Sequence, residues 1–120
     1  MSAHYHDPGD LAQLRNMKAL APTEYAAWLA LEKTVGRSDG AIPQKYRELI
    51  GIAVALTTQC PYCIEAHVRA AKKAGASAAE VAEVSFIAAA LRAGAAATHG
   101  AMAMKLFDAA PGPVDNSAAT

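Results

Sequence analysis

The sequence offers little that would tie it to nucleic acid, to a bilayer or to an oxidising compartment. Its 11 basic and 11 acidic residues cancel to a formal net charge of zero. No Lys/Arg run stands out that would neutralise phosphates, so no nucleic-acid partner is expected. The opening stretch, M-S-A-H-Y-H-D-P-G-D, has neither the basic nor the apolar region of a signal peptide. No uninterrupted run of about 18 apolar residues occurs, so no membrane span is expected. With no export signal, a reducing cytoplasm is the expected location. There, its two cysteines are better suited to catalysis or metal binding than to stapling a fold. No segment alternates apolar and polar residues over more than a few positions, which excludes strands and predicts an all-α chain.

Aromatic residues are also scarce, at 6%, although 53% of the chain is hydrophobic. Ala supplies much of that fraction, and small side chains let helices approach closely while each buries little area. Such a chain completes its core by burying surface against copies of itself, so a homo-oligomer is expected. At 120 residues it fits one domain with a usable core.

The pattern predicts a flexible arm over residues 1–9, a compact bundle of about six helices over 10–108, and a disordered tail over 109–120. His4 and His6 fall in the arm. Asp10 is placed to cap the first helix. Pro22 restarts the helix after a break, giving an apolar face with Trp28 in the core, and Gly36 ends it. A turn-rich loop, G-R-S-D-G-A-I-P, leads to a third helix from Pro43 to about Thr58 with Leu49, Ile52, Ala53 and Leu56 as its stripe. The fourth helix starts at C-P-Y-C and ends before Gly75, a good residue for a left-handed cap. Ser77 and Glu80 have capping-box spacing for the fifth. Val84 to Met104 is apolar or small nearly all round, interrupted mainly by Arg92 and His99. This pattern predicts burial on all sides, with the Met102/Met104 pair in the core and His99 in the core or an interface. Gly94 is expected to divide this stretch into two helices.

The chemistry is concentrated between Glu48 and His67. With Cys60 at the N-cap of the fourth helix, Pro61 at N1 and Cys63 at N3, both sulfurs lie in the first turn. Free N–H groups and the helix dipole favour a thiolate there. The i,i+3 spacing lets the two sulfurs close a disulfide. His67, four residues after Cys63, lies on the same face one turn on and is placed to accept the Cys63 proton. Glu48, on the preceding helix, is placed to orient that imidazole. Tyr46, Arg47 and Tyr62 are further pocket candidates, and Glu65, Arg69, Lys72 and Lys73 form a solvent face.

Other readings of these residues stay open. Cys60, Cys63, His67 and a carboxylate have the ligand types of a zinc site, although the packing of three of them into about two helical turns is unusual for one. Cys-Pro-Tyr-Cys resembles the glutaredoxin tetrapeptide, but that fold needs a strand before the motif and the lead-in here is helical. Two inert buried cysteines are the remaining structural reading.

Glu48, eleven residues, Cys60-x-x-Cys63, three residues and His67, followed by an Ala-rich helix and Gly75-Ala76-Ser77, resembles the alkyl hydroperoxidase D-like branch of the carboxymuconolactone decarboxylase family, over roughly Tyr25 to Phe107. The resemblance implies an all-α homotrimer or hexamer without flavin, haem or metal. Its substrate would be a hydroperoxide or disulfide, and its electron donor a thiol or partner protein. It further implies that Cys63 attacks peroxide, that Cys60 resolves the sulfenic acid, and that Glu48 and His67 relay the proton. Helix-dipole reasoning alone favours Cys60 as the more acidic thiol. The alternatives are a protein disulfide reductase, or a redox-sensing oligomer without peroxidase turnover. The sequence departs from the mycobacterial-type peroxidase pattern at Tyr62, where a histidine stands between the cysteines, and tyrosine is a poor base near neutral pH. The decarboxylase branch does without the cysteine pair, so lactone decarboxylation is not expected.

Overall fold

In the computed structural model residues 5–114 are described, and among them every regular element is helical. A 3-10 turn, Pro8–Gln13, precedes α1 (Leu14–Leu20), α2 (Pro22–Val35), α3 (Gln44–Thr58), α4 (Pro61–Lys73) and α5 (Ala78–Ala109). The all-α expectation holds, with five α-helices rather than about six. Gly94 does not divide the last one, which is continuous over 32 residues. An interior glycine costs a helix only about 1 kcal/mol. The Ala, Leu and Met around it are strong helix formers, and neither a proline nor a cap is near.

Helical structure begins inside the expected arm. Asp7, not Asp10, is the N-cap: its Oδ1 accepts from Gly9 N–H at 2.8 Å, while Asp10 Oδ2 accepts from Asp7 N–H at 3.0 Å. The reason is Pro8, whose fixed φ suits the first helical position and moves the start upstream. Residues 1–4, with His4, and residues 115–120 of the expected tail lie outside the described residues.

The chain divides into two compact units, residues 1–89 and 90–120, and α5 runs across the boundary. The centre of the first unit is the α3–α4 hairpin. α3 ends at Gln59 in the left-handed conformation, φ 56°, and Cys60 N–H closes back on Ala55 O at 3.1 Å. Only Gln59 and Cys60 separate the two helices, and so short a connection turns the chain back on itself. Leu49, Ile52 and Ala71 form the buried cluster, with Leu56, Val68, Ala76, Val81 and Val84 packed around it. Ile52 is 1% exposed, a burial that stabilises by about 1.5–3 kcal/mol.

The far end of α4 matches expectation. Gly75, at φ +94°, donates to Lys72 O at 3.1 Å and Ala76 N–H to Ala71 O at 2.9 Å, a Schellman closure. The α5 capping box is also present: Glu80 N–H donates to Ser77 Oγ at 3.1 Å, and Ser77 N–H to Glu80 Oε1 at 2.9 Å. Lys45 pairs with the same Glu80 at 3.1 Å, tying the start of α3 to the start of α5. Those contacts hold the Glu80 carboxyl below its ordinary range, the Ser77 backbone bond first, and the Glu80 bond raises the Lys45 ammonium.

Burial is where expectation and structure part. Trp28 is 43% exposed, and Met102 and Met104, expected in the core, are more exposed still. Of α5 only Ala88 is buried, although the helix is apolar nearly all round, and His99 is exposed with Nδ1 3.0 Å from Ala95 O. A pattern without a polar face demands cover, but a single chain does not supply it for these residues. By length and composition alone α5 is long and apolar enough to cross a membrane. Its charged residues are clustered towards its ends, with Arg92 between, so its apolar stretch is interrupted rather than continuous.

Candidate functional site

The short α3–α4 connection fixes the register of the site. Cys60 is the N-cap of α4, extended at φ −104°, and Pro61 takes the first helical position. Cys63 N–H then points at Cys60 Sγ, 3.3 Å away. The two sulfurs are bonded as a disulfide across the first turn, with Cα atoms 5.3 Å apart, a separation that suits the bond. The predicted cap, proline and cysteine positions are those observed.

One turn further along α4, His67 faces back toward α3. Its Nδ1 lies 2.7 Å from Glu48 Oε2, and the side chains are 36% and 11% exposed respectively. Glu48 is the one buried charged residue among those described. A carboxylate only accepts, so the neutral imidazole donates through Nδ1–H and keeps its lone pair on Nε2. Glu48 on α3 and His67 on α4, both expected at the site, are thus brought into direct contact.

Glu48, Cys63 and His67 share the lining of one cleft of about 610 Å³. Val35, Ile42, Ile50 and Val54 supply much of its aliphatic wall. Cys63 and not Cys60 lines it. Arg47 borders the same cleft, with its guanidinium committed to the carbonyls of Val35 at 2.8 Å and Ile42 at 2.9 Å. It pins the end of α2 and the 36–43 loop around the cleft. Tyr46 faces elsewhere, lining an apolar groove with Leu49, Val84 and Ile87. The Glu65–Arg69 pair, at 2.7 Å, is exposed as expected of a solvent face.

Tyr62 turns away from the cleft as well. Its hydroxyl donates to Asp10 Oδ2 at 2.6 Å, and the His6 ring meets it edge-on at 6.2 Å. The bond to Asp10 pushes the phenol above its ordinary range, and the bond from Tyr62 is the main cause holding the Asp10 carboxyl below its own. Tyr62, one of the two residues between the cysteines, thus engages the N-terminal segment, a role that nothing in the local pattern around C-P-Y-C signals.

Gly51 was also not singled out by the sequence. It lines the cleft, and a Cβ there would lie 2.7 Å from His67 Nδ1. An isolated glycine inside a helical stripe was its one available signal. As for metals, no three His, Cys, Asp or Glu side chains converge as a ligand set among the described residues.

The family model described as the carboxymuconolactone decarboxylase family matches residues 22–106. A Paracoccus denitrificans protein named "Uncharacterized protein 4 in cox locus" is 40% identical over 105 residues, which cover 82% of this chain and 94% of that one. The crystal structure of an apo carboxymuconolactone decarboxylase family protein from Legionella pneumophila aligns with a TM-score of 0.64 at 28% identity, over 83% of this chain and 88% of its own. With its helical fold and most of its length matched, this chain belongs to the carboxymuconolactone decarboxylase family.

Proposed function

We propose that the protein is a thiol-dependent, peroxidase-like oxidoreductase of the alkyl hydroperoxidase D-like branch. The observation that supports this most is the joint lining of the cleft by Cys63, His67 and Glu48, with Cys60 already within bonding reach of Cys63. A dithiol with a base beside it, and a carboxylate behind that base, is suited to two-electron chemistry with no bound cofactor.

In the reduced protein His67 Nε2 takes the Cys63 proton, and Glu48 offsets the charge of the imidazolium. The Cys63 thiolate attacks the terminal oxygen of a hydroperoxide. The O–O bond breaks, the alcohol leaves with the proton returned by His67, and Cys63 becomes a sulfenic acid. Cys60 then attacks the Cys63 sulfur and water leaves, giving the Cys60–Cys63 disulfide. Two electrons from an external dithiol or a partner protein restore the pair. Helix-dipole reasoning alone favours Cys60 as nucleophile, whereas the lining of the cleft by Cys63 and not Cys60 supports Cys63. A reducing cytoplasm suits this cycle.

The exposed apolar surface of α5 supports a homo-oligomer, for which the family resemblance suggests a trimer or hexamer, checked by light scattering during gel filtration. The same surface favours a second reading, a redox-sensing oligomer whose disulfide alters assembly without peroxidase turnover.

The test is stopped-flow oxidation of the reduced protein by hydrogen peroxide and by an organic hydroperoxide. Cys60→Ser is expected to react at a near wild-type rate and accumulate a trappable sulfenic acid, whereas Cys63→Ser is expected to be inert. Wild-type protein no faster than a free thiol would remove the peroxidase reading. Redox-dependent assembly without turnover would then favour the alternative.

A further inference from the structure

Three glycines lie well inside helices: Gly51 in α3, and Gly94 and Gly100 in α5. None has the positive φ that would require glycine; among the described glycines only Gly75 does. A Cβ built on Gly94 or Gly100 meets nothing within 4 Å. One built on Gly51 meets a ring face: His67 Nδ1 at 2.7 Å, Cγ at 2.9 Å and Cε1 at 3.0 Å. All three are below ordinary van der Waals separation, which for carbon begins at about 3.5 Å.

We infer that Gly51 is a positioning residue, whose missing side chain lets the His67 imidazole lie against α3 with Nδ1 on Glu48. Glu48 and Gly51 are three residues apart on one face of α3, so the ring rests on the glycine while bonded to the carboxylate a turn earlier. A methyl group at 51 forces the ring outward. The same atom that must retreat from it, Nδ1, is the atom held 2.7 Å from Glu48 Oε2. Backing off by several tenths of an ångström along the ring normal swings Nδ1–H out of line with Glu48 Oε2 and weakens that contact. Gly51 thus acts only through His67. Its link to catalysis rests on the proposed relay, while the ring placement itself does not.

The test reads the ring before it reads any activity. Two-bond ¹H–¹⁵N spectra of the histidine side chains are recorded for the oxidised wild type, Gly51→Ala and Gly94→Ala, with His67→Ala assigning the His67 signals. Wild type and Gly94→Ala should show the Nδ1–H tautomer, and Gly51→Ala should lose it. Thermal midpoints complete a double-mutant cycle, because alanine is the better helix former. Gly94→Ala should raise the midpoint. Gly51→Ala should raise it in the His67→Ala background, where the ring is gone, but not in the wild type. This cycle keeps the inference testable even if Gly51→Ala alone folds poorly. An unchanged His67 spectrum in Gly51→Ala, or an equal gain in midpoint in both backgrounds, overturns the inference. Stopped-flow then asks about the relay: Gly51→Ala should slow Cys63 oxidation at least as much as Glu48→Gln, and the double variant should be no slower than Gly51→Ala. A wild type inert to hydroperoxide defeats the proposed function and leaves the spectral result standing.

Discussion

Glu48→Gln isolates the charge of the proposed relay from its geometry. Glutamine keeps the shape of glutamate, and its carbonyl still accepts from His67 Nδ1–H at about the observed 2.7 Å. The neutral ring therefore stays oriented. What is lost is the negative charge that steadies the imidazolium as Cys63 ionises. A hydrogen bond to a charged group contributes about 1.5–3 kcal/mol, against about 0.5–1.5 for a neutral one. Solvent screens part of that difference, since the His67 side chain is 36% exposed. A difference of about 1–1.5 kcal/mol corresponds to roughly tenfold in rate. Reduced Glu48→Gln protein is thus expected to react with an organic hydroperoxide about tenfold more slowly at pH 7 by stopped-flow, with an unchanged circular dichroism spectrum. The deficit should shrink above about pH 8.5, the ordinary thiol range, where ionisation no longer needs the base. A variant within twofold of wild type from pH 6 to 9 would refute the relay.

The Tyr62–Asp10 contact should carry its own pH signature. Asp10 is lowered from 3.8, so its contribution is present above that value and is lost as pH falls through the lowered one. Tyr62 is raised from 10.0, so its contribution is present below 10.0 and is lost as pH rises through the raised one. The phenolate absorbance of Tyr62, obtained by difference against Tyr62→Phe, should titrate above the ordinary range in wild type and return toward it in Asp10→Asn. Gly75→Ala meets no steric obstacle, because nothing lies within 4 Å of the added Cβ, but it places a side chain at φ +94°. It should therefore destabilise by about 1–2 kcal/mol through backbone conformation alone, read as a lower urea midpoint at unchanged slope.

Local rules made the site legible. Cys60 as cap, Pro61 at the first position and the Ser77–Glu80 box each depend on residues within one turn, and the observed hydrogen bonds match. The His67–Glu48 pair crosses helices and was reached through motif spacing rather than periodicity. Three features were hidden, each for a different reason. Gly51 matters because of a ring on another helix, and a hydrophobic stripe does not register a missing atom. Asp7 displaced Asp10 as the cap because Pro8 outweighed the better apolar spacing downstream. Trp28, Met102 and Met104 read as core residues from their type, yet type gives a demand for cover and not whether the chain itself meets it.

The two-residue link between α3 and α4 also bears on how the molecule comes into being. Glu48 and His67 are 19 residues apart in the chain, and Cys60 and Cys63 only three. Closing so short a loop costs little entropy, and contacts of low sequence separation form fast. The hairpin with its complete dithiol can therefore form while α5, the last and most apolar helix, is still leaving the ribosome, since chains fold from their N-terminal side as they are made. The hairpin that carries Cys60, Cys63 and His67 is expected to be older, in the life of each molecule, than the packing of Val81 and Val84 of α5 against it.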